Sequence, residues 1–314
     1  MDGRNQTGVS GFILLGLSSD PGMQLLLFVV FLGLYLVTVL GNLLIVLAVG
    51  SDPRLHSPMY FFLANLSLVD VGATSATIPR MLADLWTRSP TISYAGCLAQ
   101  LYFFLLFTDL ENFLLTVMAY DRFVAICRPL HYWTVMSLRR CGLLLATCWV
   151  TTHLYALAHT VLVDRLPFCA SRRIAHFYCD LNPILRLSCA RPWANQAVLR
   201  YWGGVLISLP PLLILGSYAG IVAAVLRVPS AGGKRRAFST CGSHLAVVSL
   251  FYGTVIAVYL FPSGPDSAEK ARIAAAALYT AVTPLLNPFI YSLRNSDLHR
   301  ALRSLGPRRT SSIQ

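Results

Sequence analysis

Long apolar stretches, free or nearly free of Lys, Arg, Asp and Glu, recur seven times along the chain, at 25–50, 57–79, 97–120, 141–163, 201–226, 237–261 and 273–293. Asp70 interrupts the second; Asp109 and Glu111 interrupt the third. A helix crossing the hydrocarbon core of a bilayer needs about 20 mostly apolar residues, and each run supplies them. Pro79, Pro210, Pro211, Pro284 and Pro288 fall within or at the ends of these runs, which membrane helices tolerate where neighbours satisfy the freed carbonyls. After the last run, Leu298, Ala301, Leu302 and Leu305 recur at helical spacing with Arg300 and Arg303 among them. That pattern fits a short amphipathic helix lying on a membrane face. The predicted fold is all-α and membrane-embedded: a seven-transmembrane helix bundle with a short amphipathic helix after the seventh span. It divides into an extracellular N-terminus (1–24), the bundle (25–293) and a cytoplasmic tail (294–314).

Composition strengthens this reading. The chain is 56% hydrophobic and only 12% charged, against about 25% charged in soluble domains. The net charge of +12 sits in short gaps between apolar runs, so it meets membrane surface and not nucleic acid. Fourteen of the 25 Lys and Arg residues lie on one side of the seven runs: Arg54, the loops around Arg122–Arg140 and Arg227–Arg236, and the tail from Arg294. The positive-inside rule puts that side in the cytoplasm. Asn5-Gln6-Thr7 is a glycosylation sequon, which needs an extracellular or luminal end. Residues 1–24 lack a basic start followed by a short apolar block, so the first span is expected to act as its own membrane signal. The expected location is the plasma membrane, crossed several times, with the N-terminus outside.

The eight cysteines divide by compartment. Cys127, Cys141, Cys148 and Cys241 fall in spans or at cytoplasmic ends and are expected to be free. Cys97, Cys169, Cys179 and Cys189 are on the outer, oxidising side, where three pairings are open. The favoured set is Cys97–Cys179, pinning the long outer loop over the bundle, with Cys169–Cys189; the rival is Cys97–Cys189.

Ionisable residues inside spans are costly and point to function. Glu111 lies about 17 Å of helix from Arg122, and Asp70 about 18 Å from Pro58, on helices running in opposite directions from the same face. The two acids therefore reach matching depth. They cannot both stay charged without compensation, so one is protonated or they share a cation. Sodium is the candidate, with Asn42 and Asn287 adding oxygens; no other cofactor is indicated. Asp109 points the other way round its helix and is expected to pair with His153, Tyr155 or His159, or else to touch a ligand.

Residues 118–127 read MAYDRFVAIC, ending the third span with an Asp-Arg pair. With Gly41-Asn42, LHSPMYFFLANLSLVD at 55–70, Ser217-Tyr218, RRAFSTCGSHL at 235–245, FYGT at 251–254 and PLLNPFIYSLRN at 284–295, the set resembles the olfactory receptors among the rhodopsin-like G-protein-coupled receptors. Phe123 stands where the family usually has Tyr, and Arg236 where it usually has Lys.

That resemblance implies an odorant receptor, not an enzyme. Its partners would be a small, mostly apolar volatile ligand, membrane lipids and a heterotrimeric G protein of the stimulatory or olfactory type, raising cyclic AMP. Arg122 would engage the G protein, with Asp121 holding it at rest. Tyr218 and Tyr291 would be switch residues, and Lys234, Arg235 and Arg236 would meet the G protein or lipid. The ligand pocket would lie among Phe104, Leu105, Thr108, Leu206, Tyr252, Val255, Ile256, Tyr259, Ala277 and Thr280. Phe104 stands where amine-binding receptors carry Asp, so an alcohol, aldehyde, ketone or ester fits better.

Rival readings are weaker. A non-olfactory chemosensor of the same fold would carry much the same residues. A transporter or channel often shows related halves, and none is seen. An intramembrane enzyme would need a metal-binding or nucleophilic set such as HExxH, also not seen. A retinal pigment needs a lysine in the seventh span, and Lys270 precedes it.

Overall fold

The computed structural model describes residues 10–18, 20–168, 172–227, 230–259, 267–294 and 296–304. Seven long helices follow one another among the described residues: α1 (Pro21–Ser51), α2 (Pro58–Thr87), α3 (Tyr94–Cys127), α4 (Leu138–Asp164), α5 (Trp193–Leu226), α6 (Ala231–Tyr259) and α7 (Ser267–Arg294). A short helix, α8 (Ser296–Ser304), comes last. The first five are each long and apolar enough to cross a bilayer; in α6 the apolar run is Cys241–Ile256.

Local chemistry sets the helix ends. Asp20 caps α1 by accepting from the Gly22 N–H, with Pro21 at the first helical position, where its missing N–H costs nothing. Ser93 caps α3 through Gly96. At the turn after α1, Asp52 pairs with Arg54 at 2.6 Å. Hydrogen bonding from Arg54 holds the Asp52 carboxyl down to about 2. The second helix runs past Pro79, where the apolar run ended, to a left-handed Arg88. Its extra turns carry Arg80 and Asp84 as an i,i+4 ion pair, so the charges that ended the run cancel each other.

α1 packs on α2, α2 on α3, α3 on both α4 and α5, α6 on α7, and α7 back on α1. In α3 61% of the most apolar window is buried, against 11% in α1; α3 is therefore the central rod and α1 a peripheral one. Leu101, Leu110, Leu114, Leu115 and Ala119 form its wholly buried spine. α5 contains a π-helical turn at Leu199–Gly203. A Cβ on Gly203 would lie 2.7 Å from the Tyr155 hydroxyl, so glycine is what lets this turn close on α4. Leu298 and Ala301 of α8 are buried while Arg300 and Arg303 are exposed, the amphipathic split expected of a surface helix.

The outer end carries a cap that sequence pattern missed. β1 (Gly11–Leu14) lies between β2 (Thr91–Ser93), antiparallel, and β3 (Arg173–Ile174), parallel. A Cβ on Gly11 would sit 2.3 Å from the Ile92 carbonyl oxygen, so only glycine allows that approach. Phe12 and Leu14 are buried under the cap. Cys97 and Cys179 form a disulfide with Cα atoms 5.5 Å apart, which excludes the Cys97–Cys189 rival. Cys189 is itself disulfide-bonded; Cys169, assigned to it from sequence, lies outside the described residues, as does Asn5. Cys127, Cys141, Cys148 and Cys241 are free thiols.

Candidate functional site

In the outer half of the bundle, Phe104 packs its ring on Tyr178 of the loop, centroids 4.6 Å apart. Ala277, Ile273 and Phe177 complete that buried cluster. Just below, Phe104, Thr108 and Thr280 share a small cavity with Ala73, Glu111, Tyr279 and Pro284. Its volume of about 10 Å³ is room for about one water. Four of the ten residues assigned to a pocket from sequence thus gather in one place.

Others are placed differently. Leu105 packs toward the disulfide and the cap cluster instead. Ile256 is exposed and Val255 is half-buried against the main core, so the α6 stripe is divided between surface and packing. The side chain of Tyr259 lies outside the described residues. Tyr252 is not a free anchor: its hydroxyl donates to Asn112 Oδ1 at 2.5 Å, and Asn112 Nδ2 donates to the Leu206 carbonyl at 3.1 Å. One α3 side chain therefore ties α6 to α5. Asn112 has no charge and belongs to none of the motifs that carry the resemblance, so sequence gives it no role; a polar amide one turn below Thr108 in an apolar span was the available signal.

At mid-depth Asp70 and Glu111 are both buried, close enough for their charges to repel. Asn287 donates to Asp70 Oδ2 at 2.8 Å. Asp70 Oδ1, Glu111 Oε1, Asn42 Oδ1, Asn287 Oδ1 and Thr283 Oγ1 are buried without a hydrogen-bond partner. Oxygen atoms are what a hard cation takes; of these residues Asp70, Asn287 and Glu111 lie within reach of one another through Asp70. No group of three or more His, Cys, Asp or Glu fit for a metal occurs among the described residues. Asn42 also explains its place in sequence. Pro288 has no N–H for the Pro284 carbonyl four residues back, and Asn42 Nδ2 donates to that carbonyl at 3.0 Å. Gly41 lets α1 approach, since its Cβ would meet the Pro288 ring at 3.3 Å.

Asp109 lies near enough to Tyr155, one of its three expected neighbours, for its charge to act there. Its Oδ2 has no hydrogen-bond partner, and neither ring nitrogen of His159 has one. His153 bonds Tyr102 instead, and Tyr155 stacks edge-on against His159 at 4.7 Å.

At the inner end Asp121 and Arg122 are buried, yet they do not form the resting ion pair expected from sequence. Asp121 Oδ1 accepts from the Tyr132 hydroxyl at 2.8 Å in the loop after α3, and Arg122 Nε is unpartnered. The Tyr132 hydroxyl competes successfully because consecutive helix positions point about 100° apart. The Arg122 charge is felt by Tyr218 of α5, Cys241 and His244 of α6, and Tyr291 of α7, so it sits among three spans. Tyr291 is buried with its hydroxyl unpartnered. Tyr218 bonds His244 Nδ1 at 2.8 Å, and His244 Nε2 bonds the Leu115 carbonyl at 3.0 Å. A carbonyl only accepts, so Nε2 carries the proton and Nδ1 accepts from the tyrosine. His244 falls within the RRAFSTCGSHL stretch, where sequence pattern alone assigns it no role. Phe123, replacing the usual tyrosine, lies against Gly220, whose Cβ would be 2.5 Å from its ring. The side chains of Lys234, Arg235 and Arg236 lie outside the described residues.

Comparison with known proteins gives a consistent result. Residues 31–305 match the olfactory receptor family. Olfactory receptor 1N1 of Homo sapiens is 56% identical over 301 residues, covering 96% of each chain. Olfactory receptor 1M1 of Mus musculus is 53% identical over 311 residues, covering 99% of each. The crystal structure of squid rhodopsin superposes with a TM-score of 0.70 over 91% of this chain and 86% of that one, at 16% identity; that likeness concerns the fold.

Proposed function

The chain belongs to the olfactory receptor family, and from that premise we propose that it binds a small, mostly apolar oxygenated odorant in its outer half and activates a stimulatory-type G protein at its inner face, raising cyclic AMP. It is a multi-pass plasma-membrane receptor and not an enzyme. The N-terminus is outside in this reading. The positive-inside bias supports it, and so does the disulfide at the β1 end of the bundle, since disulfides persist in oxidising compartments.

The observation that carries the proposal is a double latch between α6 and α3. Tyr252 holds Asn112, and His244, eight residues away, holds the Leu115 carbonyl and Tyr218. Both bonds hold α6 against α3. A ligand entering beside Phe104 and Thr108 competes for the Tyr252 hydroxyl, the upper latch loosens, and the lower one follows as the inner end of α6 swings away. Ligand shifts the population only by as much as it prefers the open state. Arg122, already among α5, α6 and α7, is then uncovered for the G protein, and Lys234, Arg235 and Arg236 add charge at the rim. A sodium ion between Asp70 and Glu111 would fit the orphaned oxygens there and favour the closed packing.

Cyclic AMP in cells expressing Tyr252→Phe tests this. Losing one hydrogen bond, about 1 kcal/mol, should raise basal signalling about fivefold at matched surface level. Replacing external sodium by potassium should raise it in the unmodified receptor as well. Unchanged basal activity in Tyr252→Phe would reject the upper latch, and insensitivity to the ion exchange would reject the cation.

A further inference from the structure

Between α2 and α3, in the outer half of the bundle, lies a groove that signalling leaves without a role. Its volume is about 470 Å³, within the range of about 300–1,000 Å³ for pockets that hold drug-sized ligands. The groove opens sideways. Ser75, Ala99 and Phe103 along it are exposed, whereas Asp70 and Thr74 elsewhere on α2 are buried. That flank faces hydrocarbon, so the bilayer supplies the occupant. We propose that the groove binds a membrane sterol, its ring system lying on Ala76 and Ala99 and its hydroxyl at Arg80.

The shape argues for a flat, rigid body. Small residues from both helices, Ser75 and Ala76 with Gly96 and Ala99, form the floor. Phe103 and Phe107 wall one side with rings only 17° from parallel and centroids 6.2 Å apart. A Cβ on Gly72 would lie 2.6 Å from the Phe107 ring, so the glycine admits that ring and closes the deep end. Tyr35 of α1 bonds Ser75 at 3.1 Å and closes the near edge. A flexible acyl chain loses rotamer freedom when held on such a floor, and a fused ring does not.

The polarity argues for one small neutral head. Arg80 lies about 15 Å along the helix from Asp70 at mid-depth, which is half the hydrocarbon thickness of about 30 Å. It therefore stands at the headgroup boundary, about 12 Å from Gly72. Asp84 neutralises it at 2.6 Å, and its Nη2 also donates to the Thr91 carbonyl. Arg80 borders the groove with its side chain 33% exposed, beside Ser93. The rim thus offers an ion-paired guanidinium and a serine hydroxyl, donors with no net charge between them, which suits a hydroxyl better than a phosphate. The floor is also tied to the cap: Gln100 donates to the Ala76 carbonyl at 3.0 Å and accepts from the Cys179 N–H at 2.9 Å. An occupant would steady α2, α3 and the cap together.

The test uses the full-length receptor in phosphatidylcholine nanodiscs with a cholesterol analogue carrying a ring diazirine. After irradiation, labelled peptides are mapped by mass spectrometry. Label should concentrate on 72–80 and 96–107, fall with excess cholesterol, and resist added phosphatidylcholine. Ala76→Phe fills the floor and should cut labelling about tenfold, the equivalent of about 1.4 kcal/mol. Ala99→Leu, on the exposed flank, provides a second block should Ala76→Phe fail to reach the membrane. Even labelling of all lipid-facing helices, displacement by phosphatidylcholine as readily as by cholesterol, or full labelling in a folded blocking variant would each overturn the site. None of these readouts depends on odorant or G protein, so this inference and the receptor mechanism fail separately.

Discussion

Arg122→Ala is expected to abolish ligand-driven cyclic AMP production while leaving surface level and ligand affinity unchanged. Arg122 is buried, its Nε is unpartnered, and no ion pair with Asp121 occurs among the described residues. Removing it therefore breaks little at rest. Its charge acts on Tyr218, His244 and Tyr291, on the three spans whose inner ends must part. Losing one charged contact across a buried interface costs about 3 kcal/mol, or roughly 100-fold in coupling. Radioligand or fluorescent-ligand binding beside the cyclic AMP assay separates the two effects. A variant that signals normally would remove Arg122 from the mechanism. A variant that loses ligand binding equally would make it a structural residue.

The second large effect concerns the cap. Cys97→Ser or Cys179→Ser opens a loop of sequence separation 82. In a free chain that loop would be worth about 4.5 kcal/mol by closure entropy. Here the loop itself contains α3 and α4, which stay anchored in lipid, so the expected loss is smaller, about 2 kcal/mol or more. It concentrates on the outer cluster of Phe12, Leu101, Ile174 and Leu181, which packs around the disulfide. Surface delivery should fall several-fold, and the purified variant should unfold at lower temperature in a fluorescence melt. Delivery and melting equal to the unmodified receptor would mean that the three-stranded cap and Gln100 hold the loop without the bridge.

How much of this was legible in sequence depended on how local the cause was. Seven spans could be read because hydrocarbon excludes unpaired charge over about 20 residues, a long and redundant signal. The outer end of α2 could not, because Arg80 and Asp84 cancel only once the helix is known to continue. β1 was hidden because four residues carry too little alternation, and its partners come from two distant loops. The buried acids Asp70 and Glu111 stood out as charges in apolar runs, and helical rise alone placed them at one depth. Asn112 and His244, which hold α6 to α3, are neutral and drew no such attention. The α6 stripe showed a face but not which neighbour it met, so it did not reveal that Ile256 is exposed and Val255 packs on the main core. Asp121 was assigned to Arg122 because they adjoin in sequence, whereas its hydrogen bond comes from Tyr132 eleven positions on.

The central claim is that occupancy of the outer half is read out by a G protein at the inner face of the same bundle. The most direct measurement is guanine-nucleotide exchange on a purified stimulatory heterotrimer mixed with this receptor alone in lipid discs. An active member of a panel of alcohols, aldehydes, ketones and esters would be titrated in. The account predicts a saturable rise in exchange rate whose midpoint matches the ligand's binding constant and which disappears in Arg122→Ala. Saturating, specific binding with no change in exchange, or with ion flux through discs reconstituted into vesicles, would contradict it.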